Sequence, residues 1–293
     1  MKILGVGLSG LVGSRIVELL QNKHSFEDIS YDTGVDIIDK QAVTKAVQAS
    51  SAQIIFHLAA KANVDACEED KSKGKMGDAW RINVEGTRNV VDAAVTTGKR
   101  IIYISTDFVF DGEETLQNGY REDAVPNPLN WYAVTKYEGE KIVAAASVPW
   151  AVLRIAYPYR SFFPRNDFVR AILTRLQKGE VVHAVEDHVM SPTFIDDLAS
   201  AINMLIERKA TGIYHVVGSQ FVTPYQAALA IAETFSLPKS LIAKTTRDNY
   251  FAGRAKRPFR LALNNDKIEQ LGVRMRTFEE GLLEVRSQIN NSK

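Results

Sequence analysis

Tyr132 and Lys136 stand four residues apart in the stretch NWYAVTKYEGEK (130–141). On a helix that spacing places a phenol and an ammonium on one face. A phenol can deliver a proton to a carbonyl oxygen if its pKa, ordinarily about 10, is brought toward working pH. A neighbouring ammonium does that by favouring the phenolate. Taken alone, the YxxxK spacing also describes many solvated pairs on surface helices. Its company gives it weight: ISTDFVFDG (104–112) closes an apolar run with Ser105, Thr106 and Asp107 in succession. The Thr106 hydroxyl can hold a carbonyl oxygen and stabilise the charge that develops on it. Thr106, Tyr132 and Lys136 are therefore the candidate catalytic set, with Tyr132 as proton donor.

These side chains need elements that bring them to one place. KILGVG (2–7), QIIFHLA (53–59), RIIYIST (100–106) and WAVLRIA (150–156) are rich in β-branched residues and read as strands buried on both faces, the pattern of a parallel sheet. A further strand is expected within FEDISYD (26–32). Helical stretches at 11–23, 40–50 and 78–98, and the helix of YAVTK, alternate with the strands. The alternation predicts an α/β, doubly wound parallel sheet, whose ligands bind at the carboxyl ends of the strands, where Ser105 to Asp107 fall.

The first strand leads into GVGLSGLVGS, with Gly7, Gly10 and Gly13 spaced GxxGxxG. Glycine allows a tight turn and close approach to a pyrophosphate, and the following helix N-terminus offers free N–H groups. Such glycines can also serve helix–strand packing alone, but the strand-to-helix position argues for a Rossmann sheet binding a dinucleotide, NADPH or NADH. Asp32 falls about 20 residues on, where an acid can hold the adenosine ribose and favour NAD. Glu27 and Asp28 lie nearby, and Arg15 could instead pair with a 2′-phosphate, so both cofactors stay open. Asp36 is expected to reach the adenine edge, while Asp39 better suits an acid at a helix N-terminus. Beside a dinucleotide, Thr106, Tyr132 and Lys136 imply hydride transfer to or from a carbonyl, with Lys136 also bonding the nicotinamide ribose.

Past residue 155 the regularity fades. YPYRSFFPRNDF (157–168), dense in aromatics, prolines and arginines, reads as a loop over a pocket. Helical FVRAILTRLQKG, the strand VVHAV and helical FIDDLASAINMLIER follow. The expectation is a dinucleotide-binding domain over 1–156, its sheet completed by later segments, and a smaller C-terminal α/β substrate lobe over 157–293.

The 36 basic and 35 acidic residues nearly cancel, without a long basic run, which argues against nucleic acid or an anionic membrane as partner. Cys67 is the single cysteine, so an internal disulfide and a Cys-cluster metal site are excluded, in keeping with a cytoplasmic protein. MKILGVGLSG is too short and glycine-broken for a signal peptide, and no apolar stretch reaches membrane-spanning length.

The order GxxGxxG, HLAA (57–60), NVEGT with Asn83, STDFVF and YxxxK resembles that of the extended short-chain dehydrogenase/reductases, nearly end to end. Within them, STDFVFDG, YREDAVPNPLNWYAVTKYEGE, MSPTFIDDLA (190–199) and RPFRLALNNDKIEQLG (257–272) are similar to the dTDP-4-dehydrorhamnose reductase group. That resemblance implies NAD(P)H-dependent reduction of a 4-keto-6-deoxyhexose carried on a nucleoside diphosphate. By position, Gly10, Leu11 and Val12 would meet the pyrophosphate, and Asp36 and Ile37 the adenine. Leu58, Ala59, Ala60, Lys61 and Ala62 would line the cofactor, Ala60 to Ala62 on its nicotinamide side. Thr106 and Asp107 would touch the sugar, as would Tyr132 and Tyr157. Three departures put the sugar in question. Phe108 stands where the family has a tyrosine, Tyr157 where a tryptophan packs on the substrate, and Lys61 to Asn63 depart from its A-H-T-A. Arg15 replaces a glutamate that some members associate with magnesium, so no metal site is carried over.

The remaining candidates are weaker. His57 reads as a hydrogen-bonded structural histidine, His183 and His188 as surface or rim residues, and His24 and His215 carry no signal. Arg160, Arg165, Arg254 and Arg257 suit a diphosphate, the first two from the pocket loop. Ala133, Ala144, Ala145 and Ala146 would allow a homodimer through the Tyr132 helix. Two other readings stand beside the reductase. One is a reductase or epimerase for another nucleotide sugar or carbonyl compound. The other is a non-catalytic cofactor-binding subunit, since the regulatory β subunit of methionine adenosyltransferase resembles this group.

Overall fold

Alternating apolar runs and amphipathic stretches become a six-stranded parallel sheet with helices on both faces. The computed structural model describes residues 1–113 and 118–291. Five strands come from the first half: β1 (Lys2–Val6), β2 (Ser25–Ile29), β3 (Ile54–His57), β4 (Arg100–Thr106) and β5 (Trp150–Ile155). Beyond them lie β6 (Pro158–Tyr159), β7 (Val182–Val185), β8 (Thr193–Phe194), β9 (Gly212–His215) and β10 (Ile242–Thr245). The large sheet runs β2-β1-β3-β4-β5-β9, every pair parallel, so its last strand is supplied from the C-terminal half.

The helices are α1 (Leu11–Leu20), α2 (Lys40–Ala49), α3 (Val64–Asp70), α4 (Asp78–Trp80), α5 (Thr87–Thr97) and α6 (Trp131–Ala144). They continue as α7 (Phe168–Gln177), α8 (Ile195–Glu207), α9 (Pro224–Thr234), α10 (Arg247–Tyr250), α11 (Asp266–Glu269) and α12 (Phe278–Asn291).

Successive strand residues point to opposite faces, and here both faces are covered. Ile3, Ile54, Phe56, Ile102, Ile104 and Leu153 pack with Ile16 and Leu20 of α1 and Leu198, Ile202 and Leu205 of α8. Their neighbours Leu4, Val6, Ile55, Ile101, Tyr103 and Val152 pack instead with Val43 and Val47 of α2, Val90 and Val91 of α5 and Val143 of α6. Each such aliphatic side chain contributes roughly 1.5–3 kcal/mol by leaving water.

Two local features shape the site. Pro126 and Pro128 keep the chain before α6 out of helix, and Asn130 then caps α6 by accepting from the Ala133 N–H at 2.9 Å. The single helix expected over 78–98 is broken into α4, a wide π-type stretch Arg81–Gly86, and α5. Such bulges are frequent at functional sites.

In the C-terminal half, β7 pairs with β10 and β6 with β8, both in parallel. Tyr159, Phe168, Phe194 and Phe278 form the aromatic centre of this layer, with α7, α9 and α12 around it. The stretch expected to be a loop, 157–168, thus holds one short strand.

Candidate active site

The cleft opens at the carboxyl ends of β1, β3, β4 and β5 and has a volume of about 620 Å³. Its floor begins at the glycine turn. Gly7 sits at φ +84°, a left-handed conformation that favours glycine, and a Cβ there would press on the Ala59 backbone at 3.0 Å. A Cβ on Gly13 would strike the Leu8 carbonyl oxygen at 2.7 Å, so this glycine lets α1 pack on the turn. Gly10 differs: a Cβ there would meet only the Gly7 oxygen, at 3.7 Å. Gly10 is the N-cap of α1 with no side-chain cap, so the first N–H groups of the helix face the cleft unpaired by any cap.

At the end of β4, Thr106 caps a short turn, its Oγ1 accepting from the Phe108 N–H at 3.2 Å and donating to Asp107 at 3.0 Å. The second carboxyl oxygen of Asp107 is buried without a partner, and burial pushes this carboxyl up to about 7. Tyr132, in the first turn of α6, stands beside Thr106, and burial pushes its phenol up. Lys136 is buried one turn on, its Nζ donating to the Ile104 carbonyl at 2.8 Å and lying 4.0 Å from the centroid of the Tyr103 ring. Burial lowers its pKa to about 7, against the opposing field of Glu140. The two share a helix face, but Lys136 bonds back to β4 and the phenol shifts upward, not down.

Gly7, Gly10, Leu11, Val12, Gly13, Leu58, Ala60, Ala62, Thr106, Asp107, Tyr132, Lys136, Tyr157 and Arg165 all line this one cleft. The family model described as the RmlD substrate binding domain matches residues 1–291. The chain belongs to that family. It is 31% identical over 298 residues to methionine adenosyltransferase 2 subunit beta of Xenopus tropicalis, covering 97% of this chain and 86% of that protein. It is 28% identical over 300 residues to dTDP-4-dehydrorhamnose reductase of Aggregatibacter actinomycetemcomitans, covering 98% of each. The structure of the Bacillus anthracis dTDP-4-dehydrorhamnose reductase in complex with NADP superposes with a TM-score of 0.89 at 28% identity, over 98% of this chain and 99% of that one.

Several expected residues of this RmlD-type chain do not line the cleft. Asp32 is exposed and accepts from the Ser9 hydroxyl at 2.7 Å, while Asp28 accepts from the Leu8 N–H at 2.9 Å and so anchors the turn. The Asp36 carboxylate accepts from the Ile38 N–H at 3.0 Å, and Ile37 is buried against Gly86 in the core. Asp39 caps α2 through the N–H groups of Gln41 and Ala42. Ala59 packs beneath Gly7. Lys61 turns its ammonium toward Asp70 and Asp78, at 3.8 and 3.7 Å. Its main chain is held in both directions by Asn83, accepting at 2.8 Å and donating at 3.1 Å. The π-type stretch presents Asn83 for that task, and Asn83 also donates to Thr135.

Arg15 donates two hydrogen bonds to the Asp196 carboxylate, from Nε and Nη2 at 2.7 Å each, so it is engaged rather than waiting for a 2′-phosphate. Arg160 is likewise turned from the cleft, onto Ser14 at 2.9 Å and Glu18 at 3.0 Å of α1. Arg254 and Arg257 do line the cleft, and Asp65 at the start of α3 holds both. His57 is buried against Thr87 at 3.0 Å. His188 corrects its expected rim position: it is 1% exposed and bonded to Tyr157. Ala133 is fully buried within the chain and so unavailable to a dimer face, unlike exposed Ala144 and Ala145.

Tyr250 and Phe251 also line the cleft and were missed. The signal was present, since NYFAGRAKRPFR (249–260) repeats the aromatic and arginine mixture that marked 157–168. Among the described residues no group of His, Cys, Asp and Glu gathers that could hold a metal ion, and no helix is long and apolar enough to cross a membrane.

Proposed function

We propose that this protein reduces the 4-keto group of a nucleotide-linked 6-deoxyhexose with NADPH or NADH. The observation that carries the reading is the meeting of Thr106, Tyr132 and Lys136 with the uncapped α1 N-terminus in one cleft. The residues fit a dinucleotide: Gly10 leaves room for a pyrophosphate, and the N–H groups of Leu11, Val12 and Gly13 would receive it. NADP in the Bacillus anthracis relative supports the same reading. When bound, the dinucleotide supplies the hydride. Tyr132 gives its phenolic proton to the carbonyl oxygen, which Thr106 holds beside it. Lys136, held near neutrality in pKa by burial, can pass between charged and neutral forms as the phenol is reprotonated. Asp107, Tyr157 and Arg165 face the sugar nucleotide. Residues 1–156 form the cofactor half and 157–293 mainly the substrate lobe, and a homodimer would use the exposed end of α6 at Ala144 and Ala145. We place the reaction in the cytoplasm.

The test is oxidation of NADPH and NADH at 340 nm with a dTDP-linked 4-keto-6-deoxyhexose. Wild type turns over, and Tyr132→Phe loses about 10²- to 10⁴-fold in kcat, the contribution of a positioned general acid. A second reading rests on the 31% identity to the methionine adenosyltransferase subunit. Tight cofactor binding without turnover on any keto sugar, together with stoichiometric capture of an enzyme partner, would favour that reading.

A further inference from the structure

Tyr157 joins β5 to β6 at φ +42°. A bulky residue in that left-handed region persists only where its surroundings over-determine it. Its ring is packed edge-on against Phe108 and Phe168, with centroids 6.5 and 5.7 Å away. Tyr157, together with Tyr250 and Phe251, lines two cavities: the catalytic cleft, and a second of about 230 Å³ lined by apolar residues such as Ile172, Val182 and Met190.

What fixes the outer end of the Tyr157 ring is His188. Its Nδ1 lies 2.8 Å from the Pro258 carbonyl oxygen, and its Nε2 lies 2.9 Å from the Tyr157 hydroxyl. A carbonyl can only accept, so Nδ1 carries the proton and Nε2 is left as the acceptor. The phenol must therefore donate to His188. Burial keeps the imidazole neutral by lowering its pKa to about 4. With its hydrogen committed, the Tyr157 oxygen keeps only acceptor capacity toward any ligand hydroxyl that reaches it. Pro258 follows the segment bearing Arg254 and Arg257, so the chain of bonds joins two walls of the cleft.

We propose that His188 is a positioning residue for sugar binding, locking Tyr157, which lines both cavities, as a hydrogen-bond acceptor toward the substrate. This rests on the reductase reading for the identity of the ligand, but the bond chain itself does not.

The test compares His188→Ala, His188→Gln, Tyr157→Phe and the double variant His188→Ala/Tyr157→Phe. A glutamine can donate to Pro258 and accept from Tyr157, so it should restore what alanine loses. With the dTDP-linked keto sugar, KM should rise roughly three- to tenfold in His188→Ala and in Tyr157→Phe, the worth of one buried hydrogen bond. In both, kcat should stay within about twofold, and cofactor affinity should not move. His188→Gln should match wild type, and the double variant should be no worse than Tyr157→Phe. An unchanged KM in a folded His188→Ala, additive effects, or no rescue by glutamine would overturn the proposal. Should His188→Ala not fold, ¹⁵N imidazole spectra carry the test, since they need only wild type and Tyr157→Phe. If no keto sugar turns over, the reductase reading fails separately. The same variants are then read by calorimetric binding of the dTDP sugar, and the proposal falls if the affinities are alike. ¹⁵N imidazole spectra of the ligand-free protein check the relay alone: His188 should be the neutral Nδ1–H tautomer, with Nε2 shifted by Tyr157→Phe. The opposite tautomer, or no shift, overturns it.

Discussion

At the scale of single residues, Asp107 is a buried carboxyl of the cleft with a raised pKa. Its carboxyl is pushed up to about 7 because it is buried with one oxygen lacking a partner, Thr106 donating to the other. The folded pKa exceeds the unfolded value near 4, so the folded state binds more protons between those values and stability falls as pH rises through about 4 to 7. Asp107→Asn removes that ionisation. Its urea midpoint should pull ahead of wild type on going from pH 5 to pH 8, by up to a few kcal/mol of unfolding free energy, on the order of the shift itself. A midpoint difference that does not change with pH would contradict the assignment.

At the scale of elements, the glycine turn and α6 allow sharper contrasts. Gly13→Ala forces a Cβ against the Leu8 backbone at 2.7–2.8 Å, whereas Gly10→Ala meets nothing closer than 3.7 Å. Thermal unfolding should therefore separate them: Gly13→Ala loses about 1–3 kcal/mol through overpacking, while Gly10→Ala loses under about 1 kcal/mol, the cost of alanine at an N-cap, and weakens dinucleotide binding, as a fluorescence titration would read. Glu140 of α6 grips Arg154 of β5 at 3.0 and 2.7 Å, with both side chains nearly inaccessible. Glu140→Gln strands a buried guanidinium and should cost about 3–5 kcal/mol, seen as a lower denaturant midpoint. It also removes the field that raises Lys136, so the Lys136 pKa should fall further below about 7.

At the scale of the whole molecule, the cleft is closed by contacts between distant parts of the chain. Asp65 of α3 ties down Arg254 and Arg257, and Arg160 of the β6 loop reaches α1. Arg254 is 44% exposed in its side chain, so this tie is a modest one. Asp65→Asn should nevertheless free the 247–260 segment enough for trypsin to cut there roughly three- to tenfold faster, in line with ~1 kcal/mol. Equal cleavage rates would mean that Phe251, stacked under both guanidinium groups at 5.1 and 4.8 Å, holds the segment alone.

Strand and helix periodicity, the glycine spacing and the strand-end hydroxyls are local facts, and the sequence by itself determined from them the parallel sheet, the turn at Gly7 to Gly13 and the convergence of Thr106, Tyr132 and Lys136. Local pattern suffices there because side-chain direction follows from the period alone. It could not show which way long, charged side chains turn. Lys136 bonds β4, Lys61 swings to Asp70 and Asp78, and Arg15 and Arg160 are taken by partners on α8 and α1. His188 passes from an expected rim to a buried support for Tyr157 because Tyr157 and the Pro258 stretch bond both of its ring nitrogens. All but that of Lys61 depend on a partner tens of residues away or more, and only the packed tertiary structure decides which partner desolvates a charge and which one satisfies it.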